Sequence, residues 1–243
     1  MNDFYDGIKK SIPIGLGYLA VSFTFGIYCV NNGLPALAAT IMSLTNLSST
    51  GQFVGADLII RMASYLELAL VVFVVNLRYI LMSISMSQHL DKDVRLRDKL
   101  IFSFAITDEI YAVAIKEQKK INAKFMFGMM ILPILGWTLG TLLGAIASNI
   151  FPSSISASFN IALYAMFISA FFPEVIKNFK IAFVVITSIV LSCLFYYIPF
   201  LNEHVSSGFK IIIISFFVCG LAAILFPKEE DKEEEQWYTS LSA

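Results

Sequence analysis

The chain has 243 residues, of which 58% are hydrophobic and only 14% are charged. Ordinary soluble domains carry about 25% charged residues, so this chain lacks the polar side chains that a soluble protein of its size needs. Lipid is the natural solvent for such a surface. The net charge of −1 argues against nucleic acid as a partner. The composition therefore predicts an all-α integral membrane protein in contact with a lipid bilayer.

The hydropathy pattern predicts about seven to eight hydrophobic helical segments. A span needs about 20 mostly apolar residues, and eight runs approach that length. They cover residues 11–31, 35–60, 63–88, 100–116, 125–149, 156–174, 180–200 and 208–227. We expect residues 1–227 to form a single transmembrane transporter domain. The acidic stretch 228–243 reads as a disordered cytoplasmic tail.

No motif indicates an enzyme, a metal site or a cofactor. The three cysteines (Cys29, Cys193 and Cys219) each lie in an apolar run with no second ligand at metal-binding spacing. Nucleotide-binding, metalloprotease and serine-hydrolase motifs are absent from the sequence. We therefore expect no catalysis, and energy for transport should come from an ion or substrate gradient.

Basic residues in two loops conflict with a simple count of spans. Loops 89–99 and 116–124 each carry four Lys or Arg residues, so both favour the cytoplasmic side, yet segment 100–116 separates them. One explanation is that segments 35–60 and 100–116 are broken or re-entrant elements, which are allowed where protein or a water-filled cavity covers the backbone. The other explanation is an exception to a statistical rule.

Two segments begin alike. Pro13 and Gly15 lie near the start of the first segment, and Pro133 and Gly136 lie near the start of the fifth. This similarity suggests an internal repeat. In transporters with internal repeats, the binding site often lies at the interface between the repeats.

Polar residues interrupt segment 35–60. Seven of the ten residues from 43 to 52 have polar side chains, and a glycine lies among them. Ser, Thr and Asn compete for backbone hydrogen bonds and Gly loosens a helix, so we predict an interruption near mid-depth. Unwound backbone and half-helix ends could bind both charged groups of an amino acid; alternatively, small polar residues join helices. The candidate substrate-binding residues are Asn46, Ser48, Ser49, Thr50, Gly51 and Gln52.

Asn76 and Arg78 lie in the middle of segment 63–88 and are further candidates for substrate binding. An arginine at the bilayer centre costs about 2.5–3.5 kcal/mol on insertion scales, so Arg78 needs a partner. That partner could be a substrate carboxylate, Asp108 or Glu109. The alternative is a purely structural ion pair.

Asp108 and Glu109 are adjacent acids in segment 100–116. On a helix they lie about 100° apart, so one could pair with Arg78 while the other faces a cavity. A carboxyl group removed from water can take up a proton, which makes both residues candidates for proton coupling. Alternatively, the segment lies at the membrane interface and leaves both acids in water.

Small residues recur every four positions at Gly136, Gly140 and Gly144. Such a stripe allows close helix packing, here against another helix of this chain or of a second subunit.

In order and spacing, these motifs resemble the AzlC-type family, the large subunit of bacterial branched-chain amino acid exporters. The motifs are Pro13-Ile14-Gly15 to Phe25-Gly26, Ser49-Thr50-Gly51-Gln52-Phe53, Asn76-Leu77-Arg78-Tyr79 with Ser83 and Ser85, and Thr107-Asp108-Glu109. The resemblance implies a multi-pass protein of the bacterial inner membrane that works with a small AzlD-type membrane subunit. It also implies export of valine, leucine and isoleucine, with methionine or azaleucine in some members.

Two departures from the family pattern leave the substrate open. Tyr79 stands where the family often has His, and Ser49-Thr50 stands where it often has Ala or Gly. We expect a secondary transporter that exports branched-chain or related apolar amino acids, driven by the proton gradient. The alternative is an uncoupled, channel-like facilitator for small zwitterionic or polar solutes, and a third reading is a membrane-embedded enzyme or an assembly scaffold.

Overall fold

The computed structural model describes residues 3–117, 120–148, 150, 165, 168, 172–173 and 175–227. It divides into two units, Met1–Ser169 and Ala170–Ala243. The described helices of the first unit are α1 (Asp3–Asn31), α2 (Ala36–Thr45), α3 (Ser49–Ile60), α4 (Tyr65–Val75), α5 (Leu77–His89), α6 (Leu96–Ser103), α7 (Asp108–Ala114) and α8 (Ala123–Ala147). Those of the second unit are α9 (Phe179–Tyr197), α10 (Pro199–His204) and α11 (Ser207–Leu225).

The predicted fold class, an all-α membrane protein, is confirmed. Among the described residues, four helices are long and apolar enough to cross a membrane: α1, α8, α9 and α11. The number rises to five when α4 and α5, which are bent by 41° at Asn76, count as one span. Most of predicted segment 156–174 and the whole of the tail 228–243 lie outside the described residues.

The first unit is built on α1 and α8, which pack in parallel along their whole length. Asp3 at the start of α1 contacts Asn122 at the start of α8, and Asn31 contacts Ser148 where both helices end. The predicted glycine stripe makes this pairing possible, because a Cβ on Gly144 would collide with the carbonyl group of Phe23. The partner of the stripe is therefore a helix of the same chain, and the echoed Pro-Gly pairs lie inside these two helices.

Helices α2 and α3 form a broken hairpin, here called the first hairpin, with residues 46–48 as its tip. Its first arm starts just after α1 ends, and its second arm returns to the level of that end, because Asp57 accepts a hydrogen bond from Tyr28 at 3.2 Å. Phe25 also packs against Phe53 with ring centroids 4.8 Å apart. The chain therefore enters and leaves on one side, and the predicted interruption of segment 35–60 is confirmed.

The α4–α5 pair then crosses to the other side. It begins after Arg61, which pairs with Asp57 at the outer end of the first hairpin. It ends at His89, whose carbonyl accepts a hydrogen bond from the Ile121 N–H at 3.0 Å. Ile121 adjoins the start of α8, so the pair spans the unit from one end to the other.

Helices α6 and α7 form a second hairpin, with residues 104–107 as its tip. Both ends of this hairpin lie where α1 and α8 begin. Asp91 N–H donates to the Ile121 carbonyl at 2.8 Å, and the Lys10 Nζ lies 2.6 Å from a carboxylate oxygen of Glu117. Residues 89–99, 116–117 and 120–124 thus share one side, here called the basic side. This placement agrees with the re-entrant explanation of the charge pattern, in which both basic loops lie on one side of the membrane.

In the second unit, α9 and α11 pack in antiparallel fashion. Phe183 near the start of α9 contacts Phe226 just after the end of α11, with ring centroids 5.5 Å apart. Lys180 also lies over the Phe226 ring, 5.8 Å from its centroid. Large apolar side chains on both helices are exposed, as expected of surfaces that face lipid.

Candidate functional site

The tips of both hairpins lie beside the middle of the α1–α8 pair. Tyr18 is near the middle of α1 and contacts Thr107 at the second tip. Trp137 is near the middle of α8 and contacts Gln52, one turn from the first tip. The rings of Tyr18 and Trp137 pack edge to face with centroids 5.2 Å apart. Two helix breaks that enter from opposite ends of the unit are therefore brought together midway along the α1–α8 pair.

The second helix of each hairpin, α3 or α7, begins at the tip and has a side-chain hydroxyl as its N-cap. Ser48 caps α3 by accepting a hydrogen bond from the Gly51 N–H at 3.2 Å, and Thr107 caps α7 by accepting from the Ile110 N–H at 3.5 Å. These caps satisfy backbone donors that would otherwise be unpaired. The N-terminal end of α3, with its partial positive charge, therefore lies inside the unit and not at its surface.

A buried network of neutral groups anchors the first hairpin to α8. Gln52 is fully buried, and both ends of its amide are paired: Oε1 accepts from Trp137 Nε1 at 2.6 Å, and Nε2 donates to Ser43 Oγ at 2.5 Å. Ser43 in turn lies 2.6 Å from the Thr141 hydroxyl. Because these protein partners occupy the Gln52 amide, its visible role is to position the break.

Asn76 joins the first tip to the bend of the α4–α5 span. Its Oδ1 accepts a hydrogen bond from Ser48 Oγ at 2.6 Å. Gly51 lies directly against this contact, because a Cβ there would be 2.8 Å from Ser48 Oγ and 2.9 Å from the Asn76 amide. Asn46 stabilises the tip from within by accepting from the Ser48 N–H at 2.9 Å. Four of the predicted site residues therefore form one contiguous group.

Ser49 and Thr50 lie half-exposed on the first turn of α3. They belong to the same tip as the preceding group. Their side chains are more accessible than that of Gln52, which points into the helix packing.

Arg78 forms an ion pair with Asp108, with 2.6 Å between Nη1 and Oδ2. The arginine also lies over the ring of Tyr79, 5.0 Å from its centroid. Arg78 and Asp108 remain 41% and 47% exposed, respectively, so both keep open surface beside their mutual contact. The sequence predicted such a pair, and the structure selects Asp108 as the partner.

Glu109 points away from this pair toward α1. Its Oε2 lies 2.5 Å from the Tyr18 hydroxyl, which is also 2.6 Å from Thr107 Oγ1. The two acids therefore have different partners, as their angular separation on a helix requires. Glu109 has a tyrosine of the scaffold as its partner and is itself exposed, so the expectation that the second acid faces a cavity stays a prediction.

Sequence reasoning did not single out Tyr18 or Trp137. Both are aromatic residues in apolar runs, where they count as hydrophobic. One signal was available: a buried Trp N–H or Tyr O–H usually has a hydrogen-bond partner, so an aromatic polar group in mid-span indicates a nearby polar residue. Among the described residues, no group of three His, Cys, Asp or Glu side chains could hold a metal ion.

Comparison with known proteins assigns the chain to a family. An uncharacterized membrane protein from Archaeoglobus fulgidus is 28% identical over 173 residues, which cover 70% of this chain and 75% of that protein. An uncharacterized membrane protein from Helicobacter pylori is 30% identical over 186 residues, which cover 73% of this chain and 80% of that protein.

The branched-chain amino acid transport protein AzlC of Bacillus subtilis is 25% identical over 181 residues, which cover 73% of this chain and 70% of that protein. No solved structure matches the chain. The family model described as AzlC protein matches residues 13–151, more than half of the chain and the part that contains both hairpins. The chain is a membrane protein of the AzlC family.

Proposed function

We propose that this protein is a secondary transporter that exports branched-chain or related apolar amino acids from the cytoplasm, driven by the proton gradient. One observation carries the proposal: a neutral helix break and a charged helix break lie side by side, midway along the α1–α8 pair, in a chain of the AzlC family. The name of its Bacillus subtilis relative gives the substrate class of that protein as branched-chain amino acids.

The first tip supports binding of the substrate's charged ends. The N-terminal end of α3 carries a partial positive charge, which favours a carboxylate. The half-exposed Ser49 and Thr50 lie beside that end, and the Asn46–Ser48–Asn76 group offers carbonyl and hydroxyl acceptors for an ammonium group. Arg78 is a second candidate for the carboxylate, because nearly half of its side chain remains exposed despite its pairing with Asp108.

The second tip supports proton coupling through Asp108 and Glu109. Asp108 faces a cation and Glu109 faces a hydroxyl group, so loss of either charge would change a specific contact. Both contacts are partly screened from water by the protein, so such a change alters the free energy of the tip more than it would in bulk water. A proton taken up by one acid can therefore favour a different arrangement of the hairpin.

A small AzlD-type membrane subunit remains our proposed partner, on the basis of the family resemblance. For orientation, the positive-inside rule assigns the basic side to the cytoplasm. On this view the second hairpin enters from the cytoplasm and the first enters from outside. We propose the cell membrane, the inner membrane in a bacterium with two membranes, as the site of the protein.

The test is efflux of radiolabelled leucine from preloaded cells that express this chain with or without the partner subunit. The Asp108→Asn/Glu109→Gln double variant is measured beside the wild type at equal membrane abundance. We expect efflux that requires the partner, that slows when the proton gradient is collapsed, and that is lost in the double variant.

Other outcomes point elsewhere. Efflux that is insensitive to the gradient and to the double variant would indicate the uncoupled facilitator for small zwitterionic or polar solutes. No leucine movement in any combination would exclude leucine as the substrate and require a wider panel of solutes.

A further inference from the structure

An unbroken series of side-chain contacts joins the two hairpin tips through the scaffold. Glu109 on α7 contacts Tyr18 on α1 at 2.5 Å, and the Tyr18 ring packs against Trp137 on α8. The Trp137 indole N–H then donates to Gln52 on α3 at 2.6 Å, and Gln52 donates to Ser43 on α2. The series thus reaches from a charged group at one tip to both arms of the other hairpin.

The central members of this series are buried. Tyr18 is 8% exposed, Trp137 is 1% exposed and Gln52 is fully buried. Close-packed interiors transmit small displacements, because no free space absorbs them. A change in the position of the Tyr18 ring must therefore be accommodated by Trp137, and through its single N–H donor by Gln52.

Tyr18 has one hydroxyl hydrogen and two neighbouring oxygens. The hydroxyl lies 2.6 Å from Thr107 Oγ1 and 2.5 Å from Glu109 Oε2, and it can donate to only one of them at a time. A charged Glu109 competes strongly for that hydrogen, because hydrogen bonds to ionised acceptors are about twice as strong as neutral ones. A neutral Glu109 releases it toward Thr107, the residue that caps α7.

We propose that Tyr18 is a positioning residue that couples the two hairpins, so that the charge state of Glu109 sets the geometry of the Asn46–Ser48 break through Trp137 and Gln52. The remaining charged groups at this tip, Asp108 and Arg78, pair with each other and not with Tyr18. The coupling stands on the contacts themselves. Its consequence for transport rests on the proposed function.

Trp137 provides a direct optical readout. The sequence contains two tryptophans, and replacement of Trp237 by Phe leaves Trp137 as the single emitter. In this background of the full-length purified protein, we compare the emission of the Glu109→Gln and Asp108→Asn variants with that of the parent. The two substitutions remove equal charge from adjacent residues. We expect Glu109→Gln to shift the emission of Trp137 and Asp108→Asn to leave it nearly unchanged.

The Tyr18→Phe variant completes a double-mutant cycle. It keeps the ring against Trp137 and removes only the hydroxyl, so the shift caused by Glu109→Gln should disappear in this background. Tyr28→Phe is the matched control on the same helix, because the Tyr28 hydroxyl serves Asp57 instead. In the Tyr28→Phe background the shift should persist.

Two results would overturn the coupling. A shift that survives in Tyr18→Phe would show that the charge acts through space. Equal shifts for Glu109→Gln and Asp108→Asn would show the same, and this comparison needs no Tyr18 variant if Tyr18→Phe does not fold.

Transport assays test the consequence of this coupling for function. If leucine is transported, Tyr18→Phe should slow gradient-driven efflux by about tenfold or more, within the range typical of coupling between sites, while leucine–leucine exchange persists. Equal losses in both modes would contradict a coupling role. Absence of leucine transport in the wild type would refute only the proposed function, because the optical cycle is independent of it.

Discussion

The two hairpins share a design but differ in chemistry. Each is a pair of short helices that enters and leaves on one side, and each returning arm starts at the tip under a hydroxyl cap. The first tip is held by neutral partners, including the fully buried Gln52. The second tip carries two acids, and its Asp108 is 47% exposed.

This difference indicates a division of labour. Neutral hydrogen bonds can remain buried in one geometry at little cost once every group is paired. Charges at mid-depth are costly, so they persist where their partners and accessibility can change. We infer that the first hairpin supplies the binding geometry and that the second supplies the changeable charge. Four substitutions test this contrast, and they follow in decreasing order of predicted effect.

Arg78→Gln should have the largest effect because it leaves Asp108 without its cation inside the bilayer. Breaking a fully buried pair costs about 3–5 kcal/mol, and partial exposure of both side chains reduces this cost. We expect loss of leucine efflux and lower membrane abundance, measured by transport assays and by fluorescence-detected size-exclusion chromatography.

The matched control is Arg61→Gln. Arg61 pairs with Asp57 at 2.8 Å at the outer end of the first hairpin and is 60% exposed, so its loss should change little. The Arg78→Gln/Asp108→Asn double variant should recover abundance without recovering efflux. Normal efflux in Arg78→Gln would show that the charged tip is dispensable.

Gly51→Ala should distort the neutral tip of the first hairpin. Its new Cβ would lie 2.8 Å from Ser48 Oγ, so the contact between Ser48 and Asn76 must shift. Displacements of this kind at a binding site can reduce rates on the order of tenfold or more. Gly55→Ala is the control on the same helix, since its Cβ would meet side chains only at 3.6 Å and beyond. Equal efflux in both variants, at equal abundance, would remove the first tip from the site.

Gln52→Leu should lower the stability of the folded protein without preventing its insertion into the membrane. It leaves the Trp137 N–H without its acceptor, and an unpaired buried group costs about 1–3 kcal/mol. It also removes the hydrogen bond that the Gln52 amide donates to Ser43 Oγ, although Ser43 keeps its contact with Thr141. The melting temperature in detergent should fall clearly. Thr45→Val, which removes an exposed hydroxyl that donates to carbonyl groups of α2, should leave the melting temperature nearly unchanged. Similar melting temperatures for the two variants would argue that the buried network does not anchor the hairpin.

Glu117→Gln should have the smallest effect. Its contact with Lys10 at the base of the second hairpin is partly exposed, at 34% for Lys10 and 25% for Glu117. Such pairs contribute about 1 kcal/mol or less and weaken with salt. Melting curves at low and high salt should show a small difference from the wild type that vanishes at high salt. A large fall in melting temperature that persists at high salt would mean that the contact at the base of the second hairpin is as critical as the tip.

Sequence patterns predicted the break in the first hairpin and the pairing of Arg78. Asn46 to Ser48 interrupt the helix because side chains that bond to the backbone cluster there. Arg78 pairs with Asp108 because an unpaired arginine in the middle of a span is costly. The charge conflict between loops 89–99 and 116–124 also indicated re-entry, since two basic loops joined by one apolar segment need a common side.

The rest depended on which helices pack together, which periodicity does not specify. The glycine stripe at residues 136–144 defines a face for close packing but not its partner, and that partner is α1. The contacts of Tyr18 and Trp137 arise only when α1 and α8 lie side by side in parallel. From the sequence alone we interpreted Gln52 as a substrate-binding residue. Its two protein partners lie 9 and 85 residues away along the chain, so the sequence does not reveal them.

We infer that each hairpin returns to the side from which it came, so that both tips meet within the bilayer. The direct test replaces Cys29, Cys193 and Cys219 and introduces single cysteines at Lys92, Lys120, Asn32 or Met62. A membrane-impermeant thiol reagent is then applied to sealed vesicles of known orientation. We predict that the Lys92 and Lys120 positions react from one side, and that the Asn32 and Met62 positions react from the other. Reaction of Lys92→Cys and Lys120→Cys from opposite sides would contradict re-entry of the second hairpin and with it the shared site.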